Sequence, residues 1–174
     1  MAAHSRLRTV IDDGLLSLPA GRVHVMRPPA DYDLSPLDDH ELTLNHVSFP
    51  VVSAFQDAGH DVVDDIGAPS AIIVVLPRDK ALARDMIARA AAASPLVVVD
   101  GYKTDGVDSI FKAARKALGD VPSLTKDHGR IFWMQPGKAF ADWAAPPPAP
   151  AAHGFVTTVG IFSANTQKIG ELIL

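Results

Sequence analysis

A doubly wound, mostly parallel α/β domain is the architecture this 174-residue sequence predicts. Two observations carry the prediction. The stretches Ala71 to Pro77 (AIIVVLP) and Pro95 to Asp100 (PLVVVD) are short, continuously apolar and rich in β-branched residues, the pattern of strands buried on both faces. Each precedes a segment of helical period, Asp79 to Ala93 and Val107 to Leu118. Strand and helix in alternation build a parallel sheet covered on both faces.

Taken in order, Arg6 to Leu16 is expected to be a helix ended by the Leu-Pro-Ala-Gly turn at Leu18 to Gly21. Arg22 to Met26 (RVHVM) alternates and is valine-rich, so it is expected to be a strand. Arg27 to Glu41 is acidic, holds three prolines and is expected to be a loop. Phe49 to Ala58 fits a helix with Phe49, Val52 and Phe55 inward and Gly59 at its C-terminus. In the third helix Leu82, Met86, Ile87 and Ala90 share a side, and in the fourth Val107, Ile110, Phe111, Ala114 and Leu118 follow the 3.6-residue period. Gly129 to Gln135 (GRIFWMQ) is expected to be the last strand of this block.

Ala144 to Ala152 is a proline- and alanine-rich spacer, extended and semi-rigid. The expected division is a domain over residues 1–143, a linker over 144–153, and the start of a second unit over 154–174. Within that last unit Thr157 to Phe162 reads as a strand. Ser163 or Asn165 then caps a helix striped by Ile169, Leu172 and Ile173. The helix ends after about two turns, too short to be stable without something to pack on.

Composition narrows the possibilities. The chain has no cysteine, which excludes disulfides, zinc–thiolate sites and cysteine nucleophiles. Its first residues, MAAHSRLR, lack the apolar core of a signal peptide. Its longest apolar run, Ala71 to Leu76, is far short of the roughly 20 residues a membrane span needs. A cytoplasmic protein without membrane contact is the expectation. The net charge of −4 is uneven: residues 1–102 carry −6, residues 103–138 carry +3 and residues 139–174 carry −1. A basic excess inside an acidic chain points to an anionic partner.

In a doubly wound sheet, ligands bind beyond the carboxyl ends of the strands. After the first strand comes Arg27-Pro28-Pro29, where a nucleotide or methyl-donor site needs glycine. Two prolines remove two N–H donors, so this loop is read as unable to bind a nucleotide. Asp100 to Gly106 (DGYKTDG) superficially suggests a phosphate loop, but Tyr102 interrupts the Gly-Lys-Thr order and the glycine spacing is wrong. A plain strand-to-helix turn is the competing reading, with Asp100 free to bind something polar. Asp39, His40 and His46 have no zinc-site spacing. Ser35, Ser109 and Ser163 lack a nucleophile-elbow context. No catalytic residue is assigned.

The basic set is Lys103, Lys112, Arg115, Lys116, Lys126, Arg130 and Lys138. Lys112, Arg115 and Lys116 are spaced i, i+3, i+4 and share one helix face. Lys126 and Arg130 flank the next strand, with His128 between them. Such a face suits phosphates, and Phe132 or Trp133 nearby offers a ring for stacking on a base. The alternative is a solvated helix face over buried aromatics.

Several stretches, in order, resemble a known family: GRVHVMRPPADYDLSPL, GYKTDGVDSIFKAARKAL, KDHGRIFWM, FADW and GFVTTVGIFS. Together they are similar to the N-terminal half of the small-subunit (16S) ribosomal RNA guanine-N2 methyltransferases, whose catalytic unit is the "methyltransferase small" domain. The resemblance covers most of the chain and is most telling at Gly160-Ile161-Phe162-Ser163. It implies two tandem domains of Rossmann-like, methyltransferase-type fold. The first has lost its functional donor loop, in agreement with Arg27-Pro28-Pro29. The second binds S-adenosylmethionine and carries an Asn-Pro-Pro-aromatic loop. Arg27-Pro28-Pro29-Ala30 only mimics that loop, since arginine cannot accept a hydrogen bond from a target amine.

By this resemblance the chain ends inside the first helix of the catalytic domain, and Phe162 and Ser163 would lie near the cofactor pocket of the complete enzyme. Lys168 and Glu171 depart from the family's Asp and Ser/Thr in that helix, while Gly170 is kept. The implied function is a non-catalytic domain that supports the catalytic one and helps recognise RNA through Lys112, Arg115, Lys116, Lys126 and Arg130. S-adenosylmethionine would serve the full-length protein, with no cofactor expected in this chain. Partners would be small-subunit ribosomal RNA and the protein's own catalytic domain. Two other readings stay open. One is a structural or dimerisation module, a homodimer burying Phe155, Val156, Ile161, Phe162, Ile169, Leu172 and Ile173. The other is a small-molecule enzyme using the Asp100–Gly106 loop.

Overall fold

A computed structural model describes residues 5–146 and the backbone of residues 149–150 and 156–157. Among them are four helices: α1 (Arg6–Asp12), α2 (Phe49–Asp57), α3 (Lys80–Ala93) and α4 (Val107–Leu118). The main sheet holds β1 (Arg22–Met26), β2 (Glu41–Asn45), β3 (Asp61–Val62), β4 (Ala71–Val75), β5 (Val97–Tyr102), β6 (Ser123–Lys126) and β7 (Gly129–Met134). Its order is β3-β2-β1-β4-β5-β7-β6. The first five strands are mutually parallel, and β7 runs antiparallel to both β5 and β6.

The period-2 alternation of the strands sorts their side chains into two cores. Val23, Val25, Ile73, Val98 and Ile131 face α1 and α2, where Leu7, Val10 and Phe55 meet them. Ile72, Val74, Val97, Val99 and Phe132 face α3 and α4, against Leu82, Met86, Ile87, Ile110 and Ala114. The two central strands are buried on both sides, as their unbroken apolar runs predict. Asp79 caps α3 by accepting from the Leu82 N–H at 2.8 Å, and α4 occupies the predicted range.

Four expectations need correction. α1 stops at Asp12, because Gly14 turns the chain at φ +71 and the Leu15 and Leu16 N–H groups fold back onto the Val10 carbonyl. The loop expected to run from Arg27 to Glu41 contains a 3-10 turn at Ser35–Leu37 and ends on the first residue of β2. Phe49 faces out, 79% exposed, at the first turn of α2, where only Phe55 is buried. Gly129–Met134 is one arm of a hairpin with β6, so it enters the sheet antiparallel. Asp127 and His128, at φ 50 and 56, make the tight turn between the arms, in the twist-matched geometry two-residue hairpins favour.

Short strands β8 (Ala149–Pro150) and β9 (Val156–Thr157) pair antiparallel. Ahead of them the Ala145 N–H donates to Asp85 on α3 at 2.9 Å, and Arg84 lies 4.5 Å over the Trp143 ring. The beginning of the expected linker is therefore fastened to α3. The rest of the expected strand to Phe162 and the helix after it lie outside the described residues, as do Phe162 and Ser163.

The order in which strands are added reverses at β1: β2 and β3 lie on one side of it, and β4 and β5 on the other. This is the switch point of a doubly wound sheet, where a crevice opens beyond the strand ends.

Candidate functional site

A cavity of about 800 Å3 occupies that crevice, lined among others by Arg6, Arg27, Tyr32, His46, Asp100 and Tyr102. The chain leaves β1 through Arg27, which adopts φ +52. Pro28 and Pro29 follow, so two successive positions lack an N–H and no glycine lets the backbone close on a ligand.

On the β5 side the crevice is closed by its own side chains. Asp100, at the edge of the sheet face covered by α1, receives the Arg6 Nε–H at 2.6 Å and the Tyr32 hydroxyl at 2.8 Å. Both Arg6 and Asp100 are buried. Arg6 also reaches the carbonyls of Lys126 and Asp127 at 3.3 and 3.4 Å and stacks 4.6 Å from the centre of Tyr102. Burial alone would lower the Arg6 pKa, but the Asp100 charge and hydrogen bond raise it on balance. Burial and the neighbouring Asp100 charge push the Tyr32 hydroxyl well above its ordinary value. Asp100 is thus engaged on both oxygens, which answers the expectation that it is free to bind a polar ligand. Gly129 allows this arrangement: a Cβ there would stand 2.6 Å from the Gly101 carbonyl oxygen and closer still to the Arg6 guanidinium.

On the β1–β2 side the crevice is lined by donors. Arg27 is half-buried, and burial together with the charge of Arg89 lowers its pKa. His46 follows β2, and its Nδ1 accepts the Ser48 N–H at 2.9 Å, so the neutral ring carries its proton on Nε2. Burial and the Arg27 charge lower the His46 pKa. The remaining carboxylates of the crevice include Asp33, paired with Arg8 at 3.2 Å, and Asp105, 3.8 Å from Arg78.

The predicted basic residues are only partly brought together. Lys112, Arg115 and Lys116 stand exposed along α4, and none of them has a carboxylate partner among the described residues. Arg130 reaches the same side of the sheet but is occupied. It donates to Asp108 at 2.9 Å and Ser123 at 3.0 Å, and lies 4.3 Å from the centre of the Phe111 ring. Lys126 is on the other side, donating to Thr9 of α1 at 2.9 Å. The hairpin register explains the split: Arg130 pairs with Thr125 and Gly129 with Lys126, so Lys126 and Arg130 point to opposite faces. Phe132 is fully buried and packs on Phe111 at 5.2 Å, so it offers no surface for a base. Trp133 is half-buried on the α1 side, away from α4.

Arg6, Tyr32 and His46 carried no sequence signal of a site. Their partners lie across the fold, Arg6 and Asp100 being 94 residues apart. Arg27 did carry one, as the residue following a valine-rich strand.

No protein-family model matches the sequence, and no curated protein does. Solved structures do match. The T. thermophilus 16S rRNA N2 G1207 methyltransferase (RsmC), solved with AdoMet and guanosine, superposes with a TM-score of 0.66 at 18% identity. That match covers 97% of this chain and 52% of the other, so the chain spans about half the length of that enzyme. An rRNA methylase from Streptococcus thermophilus gives 0.53 at 11% identity, over 78% of this chain and 98% of that one. The ribosomal protein L11 methylase of Lactobacillus delbrueckii subsp. bulgaricus gives 0.55 at 9% identity, over 73% and 74%. At these identities the similarity is one of fold: the chain has the Rossmann-like sheet of the methyltransferases.

Proposed function

We propose that this chain is a non-catalytic, methyltransferase-like domain of an S-adenosylmethionine-dependent ribosomal RNA methyltransferase, contributing RNA contact and support to a separate catalytic domain. The observation that carries the proposal is the state of the crevice. At the place where this fold would receive a methyl donor, Arg27-Pro28-Pro29 supplies neither glycine nor consecutive N–H groups, and the Arg6–Asp100–Tyr32 cluster uses the polar groups of the opposite wall. The residues present do not suit the donor. The fold match to an enzyme about twice the length supports a partnership with a second domain.

RNA contact is assigned first to Lys112, Arg115 and Lys116, the three cations exposed on one helix without carboxylate partners among the described residues. Arg130 and Lys126 are secondary, because their charges are already used within the fold.

Two measurements test the reading. The triple variant K112E/R115E/K116E is expected to bind a single-stranded rRNA fragment at least about tenfold more weakly at low salt. Its log–log salt slope should be shallower by about 2, at roughly 0.7 per lost phosphate contact. Unchanged affinity and slope would remove these residues from the interface. Calorimetry with S-adenosylmethionine should register no binding, and micromolar binding would overturn the non-catalytic assignment.

A further inference from the structure

We propose that Arg27 and His46 form a subsite for a phosphate group at the β1–β2 corner of the crevice. Both line the cavity, and among the described residues neither the Arg27 guanidinium nor the His46 Nε2–H donates to a protein acceptor. Arg27 brings a guanidinium with five N–H groups, and His46 brings Nε2–H, since its Nδ1 already accepts from Ser48. Among the described residues neither Arg27 nor His46 pairs with a carboxylate. Of the carboxylates lining the crevice, Asp33, Asp100 and Asp105 each have a cation of their own in Arg8, Arg6 and Arg78, and Asp31 and Asp127 lie beyond ion-pair distance of Arg27 and His46. Arg89 on α3, itself 3.9 Å from Asp85, adds a further positive charge near enough to act on Arg27.

A half-buried guanidinium without an acceptor has lost hydration and gained nothing for it. A phosphate oxygen pair matches its fork, and the imidazole N–H can hold a third oxygen. The cavity, about 800 Å3, has room for a nucleotide-sized molecule. Pro28 and Pro29 rule out a backbone phosphate cradle, so the grip would be entirely through side chains, which glycine-loop motifs do not describe. An RNA backbone and a free nucleotide both carry this group, and the subsite does not depend on the RNA contacts assigned to α4.

The test is a nuclear magnetic resonance titration of the labelled chain with inorganic phosphate, with adenosine monophosphate, and with a short single-stranded RNA. The His46 ring and Arg27 Nε–H signals should shift saturably while the α4 amides hold still in free phosphate. R27Q should weaken the response at least about tenfold, the effect of losing a charge-assisted bidentate contact. R27K should keep part of it, and H46A should weaken it with amide dispersion intact. Response to the mononucleotide but not to RNA identifies a free nucleotide as the source, and the reverse identifies RNA; both uphold the subsite. Phosphate binding that R27Q leaves unchanged, shifts confined to α4, or no saturable shift with any of the three overturns it.

Discussion

Replacing Arg6 by alanine is expected to destabilise the protein by about 3–5 kcal/mol, because it strands a buried carboxylate. Asp100 is 3% exposed on its side chain and would keep only the Tyr32 hydroxyl of its two partners. The loss is not the value of one ion pair. Arg6 also ties α1 to the β6–β7 turn through the Lys126 and Asp127 carbonyls, and covers Tyr102. Urea unfolding should show the loss as a lower midpoint with little change in slope. Hydrogen exchange should show the α1 amides opening first, since that helix has seven residues and relies on its packing. Exchanging the whole cluster for apolar groups, R6M/D100L/Y32F, should recover most of the stability, since a buried pair is often replaceable by hydrophobic residues of similar volume. If R6A alone costs under about 1 kcal/mol, water replaces Arg6 at Asp100, and the crevice is more open than its geometry indicates.

Much of this fold could be read from the sequence, and the parts that could not share physical causes. β4, α3, β5 and α4 declare themselves because burial on both faces, or along one stripe, leaves an unbroken or periodic apolar pattern. β2 (ELTLN) starts on the exposed Glu41, with acidic residues just before it, and a run this short barely separates from loop. β6 (SLTK) is shorter still, and its turn uses Asp127-His128 in place of the Asn-Gly or Asp-Gly pair that announces a hairpin. Without a sequence signal for β6 the antiparallel register is invisible, and with it the fact that Lys126 and Arg130 face opposite ways. The apolar spacing puts Phe49 inward only because helical phase is ambiguous at a first turn; the pattern resolves from Phe55, which packs against the His60 ring at 5.8 Å. That the Arg27-Pro28-Pro29 turn lacks the N–H groups of a backbone phosphate cradle could be argued from local chemistry alone. The Arg6–Asp100–Tyr32 cluster could not, because it depends on contacts across 68 and 94 residues.

The second large effect is on pH dependence, and it arises at His24. This residue is fully buried on β1 and forms no ion pair among the described residues. Its Nε2 lies 3.2 Å from the Asn45 side-chain oxygen, so Nε2 must carry the proton, and Nδ1 accepts from the Thr43 hydroxyl at 2.8 Å. That hydroxyl in turn accepts from the Arg22 guanidinium at 2.8 Å. A second proton, on Nδ1, would force that hydroxyl to turn and accept from two cations at once. Burial, reinforced by the Arg22 charge and opposed by the Asn45 hydrogen bond, lowers the His24 pKa from 6.5 to about 4.

A base whose folded pKa lies below its unfolded value binds its proton more readily in the unfolded chain. Stability is therefore full above about pH 6.5, falls as pH drops through the window to about 4, and levels off below it. At 1.36 kcal/mol per unit the total is about 3 kcal/mol. His46, also lowered, adds to the loss in the same direction. Unfolding midpoints measured at pH 7, 5.5 and 4 should fall accordingly. H24Q, which keeps a donor toward Asn45 but cannot take up the proton, should flatten most of the slope whatever its own stability at pH 7. A His24 resonance that titrates near 6.5 would mean that water reaches Nδ1, and the slope would then have to come from His46 and the carboxylates.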